Sequence, residues 1–267
     1  MRRRAFLAAG TAGLAGLAGC LSGGDGSDQT HPQDEHPDDG MPPPGTVADP
    51  PSVHADLAAF ETIERDGETI RLAPADVVFA WYANRAVRVL DARGTTQYEA
   101  SHVFGAVSSP AAMLAGAGGP DPVADWPRGD RVVAYCGCPH HISSRRAATL
   151  QRNGYEDVFV LDEGFWDGWH DLGRPMAGTE VSGAPRERVV AGRVDPASAG
   201  ATAVLVHPQT GQREEAPVGA DGRFRLHLHF YGVDDDSVVR LRTPDYAVRA
   251  RLGDLTDGVV TARATGG

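Results

Sequence analysis

The chain has 267 residues, 41% of them hydrophobic, with 33 Gly and 19 Pro. That length suits one or two domains plus tails. Its formal charge is -11, with 36 acids against 25 basic residues, every one of them Arg. An acidic, Lys-free surface offers no phosphate-binding face, which argues against DNA or RNA as a partner.

Residues 1–19, MRRRAFLAAGTAGLAGLAG, place three Arg before a short stretch of Ala, Gly and Leu. This is the layout of an export signal, and it is too brief for a membrane span. The Arg-Arg-Ala-Phe-Leu order resembles the twin-arginine motif. LAGC, ending at Cys20, resembles a lipobox, which implies a lipid on Cys20 and an anchor at the outer face of the cytoplasmic membrane. The rival reading is an anchor helix with an idle Cys20. Without residues 1–19 the charge becomes -14, because three Arg and no acid are lost. Such a balance resembles that of proteins from salt-loving archaea, whose acidic surfaces stay solvated in brine; high GC content alone gives the same Arg bias. Residues 20–55 are rich in Asp, Gly and Pro and poor in apolar residues, so they read as a disordered tether. His31 and His36 within it read as solvated side chains.

From residue 56 the pattern changes. TIRLAPADVVFAWYA (69–83) reads as a short strand and a proline-started helix. AVRVLDAR (86–93) is a near-continuous apolar run that ends at Asp91 and Arg93, as in a buried parallel strand. TTQYEASHVFGAVSSP (95–110) supplies a short helix, a turn and a small strand. DRVVAYC (130–136) is a second buried strand. SSRRAATLQRNG (143–154) reads as a helix with a Ser cap and a closing Gly154. DVFVLDEGFWDGW (157–169) gives a third buried strand and an aromatic helix start. Strands alternating with helices over residues 56–178 predict an α/β domain with a central parallel sheet flanked by helices. Between 186 and 264 the segments ERVVAGRVDP, ATAVLVHP, GRFRLHLHF, DSVVRLRTP, YAVRARLG and GVVTARA alternate with period two. They predict a small all-β sandwich. His227 and His229 share one face of a strand there and read as solvated.

Cys136 ends a buried strand just before a helix. Sites in open parallel sheets form beyond the carboxyl ends of the strands. Loop N–H groups and the helix dipole are expected to converge on this sulfur, favour its thiolate and bind an anion beside it. A thiolate is a competent nucleophile. Two thiols so close in sequence make no disulfide framework.

The order VRVLDAR, QYEASHVFGAV, RVVAYC, RRAATLQRNGYEDVFVLDEGFWDGW and GRPM resembles a single rhodanese domain over roughly residues 57–177. The matching features are Asp91 and Arg93, Tyr98, His102 with Gly105 and Ala106, and the cysteine after a Tyr-ended strand. The Gly-Tyr turn and the Gly-Phe to Trp segment complete them. The resemblance implies sulfane-sulfur transfer without a cofactor. Cys136 would attack a small sulfur compound such as thiosulfate or a persulfide, hold the extra sulfur, and pass it to a thiol or cyanide. Asp91 and Arg93 are expected to brace the loop rather than touch substrate, and His102 to pack. Trp166 and Trp169 read as core or rim aromatics. The tail's GRVDP, ATAVLVHPQTG and GADGRFRL resemble the transthyretin-like or carboxypeptidase-regulatory-like sandwich.

The loop departs from the family pattern. It runs Cys136, Gly137, Cys138, Pro139, His140, His141, Ile142 and then Ser143, one residue longer than the usual six. Phosphatases and arsenate reductases on this scaffold share the longer loop but need an Arg six positions after the cysteine. Ile142 occupies that position, which disfavours phosphatase chemistry. Cationic help would come from protonated His140 and His141, or from Arg145 and Arg146. Cys138 has three open readings: a resolving thiol, a ligand for Zn or Cu(I) together with the His pair, or loop filler. No metal is assigned from sequence. A thiol redox module using Cys136 and Cys138, or an inactive domain that mediates contacts at the envelope, are the alternative functions.

Overall fold

The computed structural model describes residues 39–52, 54–111 and 120–262. Residues 1–19, read above as an export signal, and Cys20, His31 and His36 lie outside the described residues. No helix among those described is long and apolar enough to cross a membrane.

Six strands build one mixed sheet. β1 (Thr62–Arg65) and β2 (Glu68–Ala73) form a hairpin. Its Asp66-Gly67 turn has φ of 52° and 85°, the two positive angles that a tight right-twisted hairpin demands. β3 (Arg88–Asp91), β5 (Val107–Ser108), β6 (Arg131–Tyr135) and β7 (Asp157–Leu161) complete the order β1-β2-β7-β6-β3-β5. All pairings but β1–β2 are parallel. The expected parallel sheet therefore carries an antiparallel edge, because a two-residue turn leaves no length for a crossover.

Both faces of the sheet are dry, and alternate residues go to opposite layers. Ala73, Val89, Val133 and Phe159 join Val78, Trp81 and Tyr82 of α1 (Ala75–Ala83) in one cluster. Leu72, Leu90, Val132 and Val158 join Ala147, Ala148 and Leu150 of α3 (His141–Arg152) in the other. α2 (Thr95–Ala100) leads into β4 (His102–Val103), which pairs antiparallel with β8 (Met176–Ala177). The aromatic helix start is a single π-helical turn, Trp166–His170. The chain ahead of residue 56 is not all free tether. Val89 N–H donates to Gly40 O at 2.7 Å, and Val47 and Ala55 pack on the first cluster. The few apolar residues of that segment suffice to hold its end on the domain.

The C-terminal region is a two-sheet β unit. β10 (Thr202–Val206), β11 (Arg213–Pro217), β13 (Val238–Arg242) and β14 (Ala247–Arg251) form a sheet of order β11-β10-β13-β14. β9 (Arg188–Arg193), β12 (Arg223–Leu228) and β15 (Val259–Val260) form a second, of order β12-β9-β15. Val190, Leu205, Phe224, Leu226 and Leu241 share one core between them, and α4 (Leu252–Thr256) adds Leu252 and Leu255. β11 is absent from the strands expected from sequence, since Arg-Glu-Glu-Ala-Pro shows no apolar alternation.

Gly192 lies against the Phe224 ring, where a Cβ would collide with three ring carbons. Gly192→Ala is expected to destabilise the β unit by about 1–3 kcal/mol through overpacking. Urea unfolding of the variant checks this; an unchanged midpoint would show that the ring moves freely.

Candidate active site

Parallel strands β3 and β6 stop side by side, which places Asp91 opposite Tyr135. Cys136 follows β6 directly. The chain then makes a tight loop whose exit is set by His140, a non-glycine residue at φ 55°. Its Nε2 lies 2.7 Å from Asp162 Oδ1, a contact that holds the uncommon backbone angle in place. α3 thus begins at His141, two residues before the expected Ser cap, and ends as expected with Gly154 at φ 86°. The neighbouring chain must come very close to this loop. A Cβ on Gly164 would sit 2.9 Å from Gly137 O, so only glycine fits.

Cys136 Sγ lies 3.0 Å from the Cys138 carbonyl oxygen and 3.2 Å from Ser143 Oγ. With a single S–H proton, the thiol donates to the carbonyl and accepts from the hydroxyl. The main-chain N–H groups of Ser143 and Ile142, in the first turn of α3, also reach the sulfur. The cradle expected from sequence is therefore present, but its electrostatic effect is not the expected one. Burial, then the nearby Glu214 carboxylate, push the Cys136 thiol up to about 11, against the lowering by Ser143 and Ile142. Cys136 is 0% exposed. At neutral pH it is a thiol, and the expectation of a resting thiolate is overturned by lost hydration.

The cover comes from the β unit. Cys138 is buried with its Sγ 3.2 Å from His227 O at the end of β12. Burial, Glu214 and Cys136 together raise the Cys138 thiol well above the ordinary range. Both thiols are free. Glu214 of β11 lies over Gly137, where an added Cβ would be 3.5 Å from its Oε2. Burial raises its carboxyl to about 7. Trp166 stacks on His229 with centroids 4.8 Å apart, and Tyr231 OH lies 2.7 Å from Ser101 Oγ. The solvated reading suits His227, which is partly exposed and meets Glu187 at 2.7 Å. It fails for His229, which lies past the end of β12 against Trp166.

The loop has no free cation. Burial lowers His141 to about 4, so its ring is neutral. Arg145 pairs with Glu215 at 2.7 Å, and Arg213 pairs with the same carboxylate. Arg146 is buried away from the sulfur, donating to Ser109 Oγ at 2.9 Å and Asp121 Oδ1 at 2.7 Å. Ile142, at the position where a phosphatase needs its Arg, is buried in the apolar cluster beside Cys136. Pro139 leads into the kink at His140.

Asp91 and Arg93 form a fully buried pair, with Arg93 Nη2 2.7 Å from Asp91 Oδ2. Tyr135 OH donates to the same Oδ2 at 2.8 Å, and Arg93 donates to Ser101 O at 2.5 Å. The guanidinium lies 4.1 Å from the Phe165 ring centroid. The pair is closed off from solvent and fixes the ends of β3 and β6 beneath the loop. His102 stacks on Tyr98, with centroids 3.8 Å apart. The residues that sequence reasoning missed are Glu214, His229 and Tyr231, all from the β unit. A pair of acids in an otherwise alternating β tail was the one available signal.

Residues 77–171 match the family model of the rhodanese-like domain. The chain contains a rhodanese-like domain. Among solved structures, the rhodanese-like domain of the Alr3790 protein from Anabaena sp. is 23% identical, with 43% of this chain and 84% of that chain covered, at a TM-score of 0.35. Thiosulfate sulfurtransferase from Pseudomonas aeruginosa is 25% identical over 41% of this chain and 20% of that chain, at a TM-score of 0.34. A rhodanese-related protein from Thermoplasma volcanium is 17% identical, covering 40% of this chain and 96% of that chain, at a TM-score of 0.33. No curated protein matches the chain. The β unit lies outside the matched residues of the rhodanese-like domain.

Replacing Glu214 with Gln removes the charge that helps hold Cys136 protonated. Alkylation of Cys136 by iodoacetamide is expected to be slow at pH 7 and to rise about tenfold per pH unit toward a midpoint near 11. In Glu214→Gln the midpoint moves down, giving about three- to tenfold faster labelling at pH 8. Peptide mass mapping, which separates Cys136 from Cys138, reads both; a wild-type midpoint at or below 7 contradicts the burial argument.

Proposed function

We propose that the chain is a sulfane-sulfur carrier that loads Cys136 from a persulfide and delivers the sulfur to a thiol acceptor. The observation that carries this is Cys136 at the carboxyl end of β6, facing the first N–H groups of α3, inside a rhodanese-like domain. In loading, a donor R–S–SH meets the Cys136 thiolate. Sulfur bonds to Cys136, the donor's S–S bond breaks, and R–S⁻ leaves and takes up the proton that Cys136 gave away. Delivery is the same exchange with the acceptor thiolate attacking the outer sulfur.

The charges near the loop favour a persulfide over thiosulfate. A cleft beside the loop is lined by Ala92, Ile142, Arg145, Arg213 and Glu215. Its rim holds two guanidiniums that share one carboxylate, while Glu214 stands further in. A dianion drawn to the rim is repelled inside, whereas a persulfide sulfur carries at most one negative charge and none in its protonated form. Because Cys136 is fully covered, loading needs the seam between the rhodanese-like domain and the β unit to part. The sequence features of residues 1–20 support export and a lipid anchor at Cys20, which would set this exchange at the outer face of the membrane.

Incubation of the reduced protein with a low-molecular-weight persulfide, followed by mass mapping, is expected to add one sulfur atom to the Cys136 peptide. Thiosulfate at equal concentration adds at least tenfold less. Cys136→Ser abolishes the gain, and Cys138→Ser keeps it. No added sulfur from either donor, or a gain that survives Cys136→Ser, overturns the proposal.

A further inference from the structure

The sulfur-transfer reading leaves three metal-type donors unused at the seam, two buried and one half-buried. Cys138 Sγ, a ring nitrogen of His141 and a carboxylate oxygen of Glu214 all lie within 4.8 Å of one another. They arrive from three places: the loop, the first residue of α3, and β11 of the β unit. We propose that Cys138, His141 and Glu214 form a binding site for a zinc-class divalent metal ion, which ties the β unit to the rhodanese-like domain. This inference does not rest on the sulfur-transfer reading.

The donor chemistry fits. Thiolate, imidazole and carboxylate are the three ligand types that zinc accepts, at about 2.0–2.3 Å. Tetrahedral geometry at those lengths sets ligands about 3.3–3.8 Å apart. Side-chain rotation of about an ångström closes the observed triangle to that size. The charges fit as well, since one thiolate, one carboxylate and a neutral imidazole cancel a dication. A neutral complex is what a buried seam tolerates.

The donors' present partners lie within the set or on the main chain: the Cys138 thiol hydrogen-bonds to the Glu214 carboxylate, which also accepts from Glu215 N–H at 3.0 Å. His141 Nδ1 is buried and has no hydrogen-bond partner. Arg145 and Arg213 both pair with Glu215, and no ion pair involves Glu214 among the described residues. Cys138 is a free thiol whose other contact is the His227 carbonyl, not a second sulfur. Strand alternation explains the division of labour in β11: Glu215 turns to the arginines while Glu214 turns to the loop. Three protein ligands leave a fourth position for water or an outside ligand. Cys136 is not in the set.

The test uses the reduced full chain carrying Cys20→Ser, which removes the third thiol. Titration with Co²⁺ is expected to give a thiolate-to-cobalt charge-transfer band that saturates at one equivalent, and Zn²⁺ then displaces it. Cys138→Ser, His141→Ala and Glu214→Gln each weaken Zn²⁺ binding at least tenfold, and Cys138→Ser also removes the band. Cys136→Ser keeps both. Zn²⁺ raises the thermal midpoint of the Cys20→Ser protein but not that of Glu214→Gln, whose near-isosteric change preserves the fold. Absence of the band, its survival in Cys138→Ser, its loss in Cys136→Ser, or full affinity in Glu214→Gln each overturns the site.

Discussion

The packing of the β unit over the carboxyl edge of the central sheet governs the chemistry of this protein. Without that cover, Cys136 would face water beside the N-terminus of α3. Favourable helix-end effects are worth about 0.3–2 kcal/mol, whereas full burial of a titratable group shifts its pKa by up to about 3–5 units. The cover therefore wins: the thiol rises to about 11 even with Ser143 and two main-chain N–H groups turned toward it. A loop that reads from sequence as a thiolate cradle becomes a store for a neutral thiol.

The cover is rigidly registered because the frame below it is. Asp91, Arg93 and Tyr135 form one buried hydrogen-bonded group across the ends of β3 and β6. Arg93 supports Phe165 from one side, and Phe165 N–H donates to Cys136 O at 2.8 Å. Trp166, next in the chain, carries the contact on to His229. A buried ion pair adds little net stability, but removing one partner strands a charge. Its value here is positional: the strand ends, the Cys136 backbone and the aromatic step to the β unit are fixed together.

Much of the rhodanese-like domain was legible because its signals are local. Apolar runs ending at Asp91 and Cys136, the Gly154 stop and the Gly-Phe to Trp segment each mark one element by itself. β2 reads as a strand but its partner β1 does not, although Asp66-Gly67 is a strong turn pair, because Thr62–Arg65 is too polar. The sequence points to an α3 start two residues late, since a Ser cap is the commoner beginning and nothing local warns that His140 adopts a positive φ. The site was legible only by half. Cys136, Cys138 and the loop announce themselves, but Glu214 lies 76 positions beyond Cys138 in β11, the strand whose pattern was hidden. What decides the protonation of Cys136 is a contact between distant segments, which no local periodicity encodes.

In the proposed sulfur transfer, the same acid would give the seam a preference among donors that the loop alone would lack. With an effective dielectric near 20, two unit charges about 5 Å apart interact by about 3 kcal/mol. A dianion placed beside an ionised Glu214 therefore loses roughly twice that, a factor on the order of 10⁴ in occupancy. The rim pair of Arg145 and Arg213 recovers part of the loss only at the surface, where water screens it. A persulfide meets no such penalty in its protonated form and about half of it as a monoanion, and a dication at the seam would reverse the sign of the field altogether. Glu214 is thus the residue through which the β unit speaks to the thiol: as a carboxylate it keeps Cys136 protonated and anions out, and as a metal ligand it would do neither.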